Sequence, residues 1–234
     1  MAARPRGNLA QVVAIVADIR VGSDGRRRCG WVGIDPQYER YHDEEWGYAL
    51  HGDRELFEKL SLEAFQAGLS WITILRRRDA FRVAFADFTP QVVARFDEHD
   101  VERLMHDPGI IRNRAKILAT ISNALLTQRL VENEPGALDR LIWSYARDSA
   151  EEQRESRPTS LAELPSQTTE SAALSGALRT LGYRFVGPTT SYALMQSCGL
   201  VNDHLSLCWR TEAASALTKS SSSPAVTPGS SRMP

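Results

Sequence analysis

Three cysteines in 234 residues are too few, and of the wrong parity, for the disulfide framework of a secreted protein. Long apolar runs are missing too. The stretch LAQVVAIVA near the start is far too short to span a bilayer and carries no small-residue cleavage signature. Net charge is nearly absent. The 28 basic residues against 29 acidic ones leave −1, which argues against a wholly electrostatic nucleic-acid binder and leaves room for a local basic face. Lysine is scarce, with Lys59, Lys116 and Lys219 the only three. Strand-like alternation is almost missing. These absences predict a cytoplasmic protein with reduced thiols and no membrane partner.

A chain of this length can bury a sizeable core as one domain with tails. Residues 1–27 are poor in aromatics, and the chain closes on KSSSSPAVTPGSSRMP. Such compositions bury too little apolar surface to offset chain entropy. The expected organisation is a flexible extension over 1–27, a folded domain over 28–210 and a disordered Ser/Pro-rich tail over 211–234. In the middle, DRELFEKLSLEAFQAG and SWITILRRRDAFRVAFA read as two helices separated by Gly68. Thr89-Pro90 supplies an N-cap and an N1 proline ahead of QVVARF. RAKILATISNALL sets Ile117, Leu118, Ile121, Ala124 and Leu125 at helical spacing. Two further helices end on Gly182 and Gly199. ARDSAEEQRESRPTS, around 146–160, reads as a polar surface connection. The fold class is all-α.

In DVERLMHDPGIIRNRAKI, a short helix runs into Asp107-Pro108-Gly109 and then a long helix. A tight turn before a helix N-terminus offers backbone N–H groups to a phosphate without needing basic side chains. Ile110 and Ile111 can anchor such a turn while Arg112, Asn113 and Arg114 stay outside. An ordinary helix–helix connection has the same spacing. The pattern resembles the helix-hairpin-helix of DNA-repair glycosylases, which implies DNA contacts at Gly109, Ile110, Ile111, Arg112 and Asn113. Contacts of that kind position a protein without reading sequence.

Near the start, RCGWVGIDPQYERYHDEEWG carries Cys29 and His42; near the end, CGLVNDHLSLC carries His204 and Cys208, four apart and on one face if helical. Two thiols and two imidazoles make the ligand set of a closed structural zinc site, joining the N-terminal segment to the last helix. Each pair alone also suits ordinary buried residues. Cys198, among apolar neighbours in YALMQSCG, reads as core.

Together, RCGWVGIDPQYERYHDEEWG, LEAFQAGLSWITILRRR, DPGIIRNRAKI and FVGPTTSYALMQSCGLVNDH resemble the DNA-3-methyladenine glycosylase I family, over about Arg28 to Cys208. The resemblance implies a helix-hairpin-helix fold and a monofunctional base-excision enzyme acting on double-stranded DNA that contains 3-methyladenine; a monomer is expected. It also implies a structural zinc on Cys29, His42, His204 and Cys208. Its base pocket falls on Tyr38, Tyr41, Glu63 and Trp71, with Trp46 and Gln66 close by. The extension and the tail depart from the compact family pattern but touch no motif.

Those residue types suit the chemistry. An adenine methylated at N3 is cationic while attached to the sugar and leaves as a neutral base, so recognition matters more than acid catalysis. The base must be extruded to be read. Aromatic faces such as Tyr41 and Trp71 attract a cationic ring by about 0.5–1 kcal/mol exposed and about 2 kcal/mol or more when desolvated. Glu63, expected as the catalytic carboxylate, can accept from the exocyclic amine and oppose the charge. A lyase step needs a lysine, and Asn113 stands where bifunctional relatives place theirs, so simple hydrolysis is expected. A DNA-binding module without chemistry and a zinc hydrolase are the competing classes. The first would not need the pocket residues, and the second needs an open metal position.

Overall fold

The computed structural model describes residues 18–146 and 157–211. Residues 1–17, most of the polar connection and everything past 211, where the tail is expected, lie outside the described residues. Two short strands come first, β1 (Ile19–Val21) and β2 (Arg27–Cys29), paired antiparallel with Arg20 opposite Arg28. Among the described residues three 3-10 turns, at Gly30–Val32, Ala86–Phe88 and Leu161–Glu163, accompany ten α-helices. The α-helices are α1 (Pro36–Glu44), α2 (Asp53–Gln66), α3 (Trp71–Leu75), α4 (Arg78–Ala84), α5 (Pro90–Val93), α6 (Glu98–His106), α7 (Arg114–Asn133), α8 (Ala137–Trp143), α9 (Thr169–Thr180) and α10 (Pro188–Ser197). The protein is predominantly helical, as expected, with the β1–β2 hairpin as the exception.

Local chemistry starts these helices where the sequence places polar caps. Asp35 accepts from the N–H groups of Gln37 (2.9 Å) and Tyr38 (3.1 Å) ahead of Pro36 at the first helical position. Asp97 and Thr168 close capping boxes on α6 and α9. The N-termini of α2 and α8 cap each other. Asp53 accepts from Gly136 N (2.7 Å) and Asp139 N (3.0 Å), while Asp139 accepts from Gly52 N.

Two expectations are corrected. Residues 18–27 are not loose, because Ile19 packs beside Cys29, Leu205 and Cys208, and Arg20 pairs with Glu39 on α1 at 2.8 Å. Charge pairing to a distant helix supplies the order that local composition does not. The segment read as one helix, SWITILRRRDAFRVAFA, is two. Arg76 pairs with Asp35 and Arg78 with Glu45, at opposite ends of α1, and Arg77 N–H bonds to Ile74 O at 2.9 Å in a tighter 3-10 contact. Tertiary ion pairs override the helical period there.

Helix α2 lies at the centre, packed against α7, α8 and α10. Every residue from Leu56 to Phe65 is buried. A helix enclosed on all sides should be apolar all round, so Glu58, Lys59 and Glu63 need partners. Glu58 accepts from Arg82 Nε at 2.8 Å and pairs with Arg54. The other two belong to the site.

Candidate active site and metal cluster

Helices α1, α2, α3 and α10 enclose a cavity of about 200 Å³. That is smaller than the roughly 300–1,000 Å³ of drug-sized ligand sites and suits one small planar ring. Tyr38, Tyr41, Trp46, Glu63, Gln66 and Trp71 all line it. The structure adds Trp31, Leu164, Gln196 and Ser197, which sequence reasoning missed. Trp31 lies in the same CGW stretch as Cys29, which is the one signal that could have found it. Nothing in the spacing of MQSCG singles out Gln196, which Asp203 holds through an Nε2 bond of 2.8 Å.

Helical geometry explains the convergence. Glu63 and Gln66 lie three apart at the end of α2 and share a face. Gly68 then takes φ +86°, a left-handed conformation that ends the helix and turns the chain so that Trp71 opens α3 toward the same space. Successive residues on α1 diverge by about 100°, so Tyr41 faces the cavity while His42 faces away. The rings form a continuous wall, with centroids 4.9 Å apart for Trp31–Tyr38, 5.1 Å for Trp31–Trp46 and 5.5 Å for Tyr41–Trp71.

Glu63 is 3% exposed. Burial pushes its carboxyl up to about 7, opposed by the Lys59 charge and a hydrogen bond from Ser197. Burial, with the Glu63 charge adding to it, lifts Tyr38 to about 12 and Tyr41 well above its ordinary value, so both phenols keep their protons. The cavity thus combines O–H donors, π faces and one carboxylate that gains from a cationic neighbour.

Behind Trp31 and Trp46 stand Cys29, His42, His204 and Cys208, all buried, with ligand atoms within 4.8 Å of one another. Cys208 Sγ is 3.4 Å from His42 Nε2, and His204 Nδ1 is 3.9 Å from both sulfurs. His42 Nδ1 lies 2.8 Å from Asp43 Oδ1, an arrangement that leaves Nε2 free to bind a metal. Arg28, 2% exposed, braces Asp43 at 2.6 Å and Asp24 at 2.7 Å. The neighbouring sulfur of Cys29 holds the Cys208 thiol well below its ordinary range, against the effect of burial, and Cys29 is raised in turn. Burial keeps His204 neutral, the form that binds metal. These four residues can coordinate a metal ion that links the N- and C-terminal regions. Cys198 lies apart in the main core, as expected, and burial lifts its thiol to about 12.

His204 and Cys208 do not share a helix, contrary to expectation. Residues 202–208 form an irregular turn, because its N–H groups are used elsewhere: Leu205 N donates to Cys29 Sγ (3.4 Å) and His204 N to Asn202 Oδ1 (3.2 Å). The cluster therefore joins the N-terminal segment to a turn after α10. It also touches the cavity wall. Trp46 lies 4.6 Å from the His204 ring and Trp31 5.3 Å from the His42 ring.

The Asp107-Pro108-Gly109 turn connects α6 and α7. Ile110 is buried and Ile111 half-buried, while Arg112 and Asn113 are exposed. Gly109 N–H is not open, because it donates to Asp107 Oδ1 at 2.7 Å. A side chain at Gly109 would place its Cβ 2.9 Å from that of Ala80, so the close packing requires glycine. Asn113 caps α7 through Lys116 N (3.1 Å), and Arg114 is held by Glu98 and Glu102. Lys116 Nζ donates to Phe65 O (2.9 Å) and Ala67 O (2.7 Å), fastening the hairpin helix to the end of α2.

A helical domain with this turn and a base-sized aromatic cavity falls in the class of helix-hairpin-helix proteins. Comparison narrows the class. The methyladenine glycosylase family model matches residues 31–211, and the chain belongs to that family. It is 46% identical to the DNA-3-methyladenine glycosylase 1 of Escherichia coli (strain K12) over 181 residues, 77% of this chain and 95% of that protein. The Haemophilus influenzae DNA-3-methyladenine glycosylase is 42% identical over 184 residues, 77% of this chain and 96% of the relative. A crystal structure of a 3-methyladenine DNA glycosylase I, 43% identical, superposes with a TM-score of 0.71 over 78% of this chain and 98% of its own. The Staphylococcus aureus enzyme, solved for the structural basis of 3-methyladenine recognition, gives 0.69 at 32% identity, covering 76% and 92%.

Proposed function

We infer that this protein is a monofunctional DNA glycosylase that extrudes 3-methyladenine from DNA and hydrolyses its N-glycosyl bond, leaving an abasic site. The observation that carries this reading is a buried carboxylate, Glu63, facing a base-sized cavity walled by Tyr38, Tyr41, Trp46 and Trp71. The rings stack on the cationic base. Glu63 accepts from its amine and balances positive charge as the bond breaks, and Gln66 lies within the same rim. No catalytic aspartate is needed after the hairpin, and Asp139 serves as a helix cap instead. Neither described lysine is placed for a Schiff base, since Lys116 is committed to two carbonyls and Lys59 lies behind the rings.

The metal is zinc on this reading. Two thiols and two imidazoles suit it, and four protein ligands close the site, so zinc supplies a structural staple and no reactive water. That disfavours a zinc hydrolase. A pure binding module has no use for a buried carboxylate that raises the cost of folding. Double-stranded DNA is held by its backbone at the hairpin, where Ile110, Ile111 and Arg112 have N–H groups without a hydrogen bond among the described residues and Arg112 has no ion pair. The enzyme acts as a monomer in the cytoplasm, where its cysteines, none of them in a disulfide, stay reduced.

The deciding experiment is base release from methylated duplex DNA. Free 3-methyladenine should appear with an unnicked abasic strand, and Glu63→Ala should lose about 30- to 1000-fold in rate while still binding undamaged DNA. A borohydride-trapped enzyme–DNA complex would refute the monofunctional reading. Wild-type excision by Glu63→Ala would remove Glu63 from it.

A further inference from the structure

Lys59 has no part in the chemistry above, yet it sits against the centre of the site. It lies on α2 one helical turn before Glu63 and is 8% exposed. Its Nζ is 4.9 Å from the Tyr41 ring centroid and 4.8 Å from that of Trp71. The Tyr41 hydroxyl, at 3.3 Å, is its hydrogen-bond partner. Among the described residues this is its one hydrogen bond, and burying an ammonium is costly unless acids answer its charge, as Glu45 and Glu63 do here. A methionine would fill the same space without that cost.

We propose that Lys59 is a positioning residue that keeps Glu63 ionised and turns the Tyr41 hydroxyl proton toward the bound base. This deepens the reading of Glu63 as the carboxylate that meets the base, and rests on it. Lys59 donates to Tyr41 Oη, so that oxygen already accepts, and its own proton is left for a ring-nitrogen acceptor in the cavity. The groups facing Glu63 are Lys59 from its own helix, Tyr38 and Tyr41 from α1, and Ser197 and Cys198 from α10. Trp71 on α3 carries no charge. Among these, Lys59 alone is a cation. Burial favours the neutral acid, and the Lys59 charge opposes it, so the carboxyl stands near 7. Without that charge burial would carry Glu63 further toward the neutral acid at neutral pH. It would then offer a proton where the base amine also offers one, and two donors would meet.

The test is the pH profile of single-turnover excision by the full-length metal-loaded enzyme. The wild-type rate should rise to a plateau through an apparent pKa near 7. In Lys59→Met that limb should move up by about one unit or more, as expected on losing a nearby opposite charge, with activity recovering at high pH. Lys59→Gln, which keeps a donor for Tyr41 but not the charge, should shift the limb in the same way and serves if the methionine variant fails to fold. Lys59→Arg should restore the limb. A rate lowered equally at every pH would assign Lys59 to packing and overturn the proposal. Glu63→Gln separates the two levels. If it is inactive while the limb of the Lys59 variants stays in place, only the role of Lys59 fails. If it excises at the wild-type rate, the reading of Glu63 fails first.

Discussion

On one side of Trp46, the Cys/His cluster lets each donor atom face another: His42 Nε2 meets Cys208 Sγ, His204 Nδ1 meets both sulfurs, and Asp43 meets the far side of His42. On the other side, the cavity holds Glu63 with its charge poorly answered, buried and raised toward neutral pH. The same helix α1 serves both, through His42 and through Tyr38 and Tyr41. The cluster is arranged so that a metal completes its set of charges, and its gain is stability. The cavity keeps an electrostatic deficit that a cationic base can fill, and its gain is recognition. Loss of a cluster residue should therefore damage the fold, and loss of the cavity carboxylate should improve it.

The largest effect belongs to the cluster. Structural zinc sites bind with about 10–16 kcal/mol in small metal-folded domains. If even a third of that holds this fold, Cys208→Ser should lower the melting temperature by about 10 °C or more, at about 2–4 °C per kcal/mol for a chain of this size. Metal content, read by atomic emission, should fall with it, whereas Cys198→Ala should keep its metal. Asp43→Asn should be milder, costing about 10- to 100-fold in metal affinity by releasing the orientation of His42. Full metal retention by Cys208→Ser would remove that residue from the ligand set. It would also break the contrast between the two sites.

Glu63→Gln tests the other half, with the opposite sign for stability. A carboxyl raised from its ordinary 4.5 to about 7 stabilises the fold fully only below about 4.5, and that contribution is lost as pH rises through 7. The interval corresponds to roughly 3 kcal/mol at about 1.4 kcal/mol per unit. Chemical denaturation at pH 8.5 should therefore find Glu63→Gln more stable than wild type by up to about 3 kcal/mol. At pH 4 the two should be nearly equal. A variant that is less stable at pH 8.5 would mean that the carboxylate has partners strong enough to hold it, and the cavity would be no deficit at all.

The cluster was legible because cysteine and histidine are rare here and the four ligands fall into two compact half-sites. Its local geometry was not, since four-residue spacing suggests a helix only while backbone N–H groups seek i−4 carbonyls. Here a sulfur and an asparagine took them. The cavity residues came from resemblance, because Glu63 on its own reads as a helix acid and only three-dimensional burial separates it from one. Gln196 and Lys59 carried no readable signal of their place, and Trp31 had only its nearness to Cys29 in the chain. The hairpin over 18–29 was missed for a related reason. Its order comes from Arg20 and Arg28 reaching Glu39 and Asp43 on α1, and composition records no partner so far along the chain.

The smallest effect lies outside both sites, at the hairpin, and separates holding DNA from reading the base. Arg112 and Arg114 flank the same turn and are both exposed, but among the described residues only Arg114 is engaged, by Glu98 and Glu102. A cation that already has two carboxylates gains little from a phosphate, whereas an unpaired one releases a counterion from the DNA when it binds. Arg112→Ala should weaken binding to damaged and undamaged duplexes alike and reduce the slope of log K against log salt by about 1. Arg114→Ala should leave that slope nearly unchanged. Affinity for free 3-methyladenine should be the same in both variants, because the cavity is untouched. An equal loss of slope in the two would mean that Glu98 and Glu102 let go of Arg114 on DNA. A loss of free-base affinity in either would show that the hairpin and the cavity are coupled, with the Lys116 bonds to Phe65 and Ala67 as the connection to cut next.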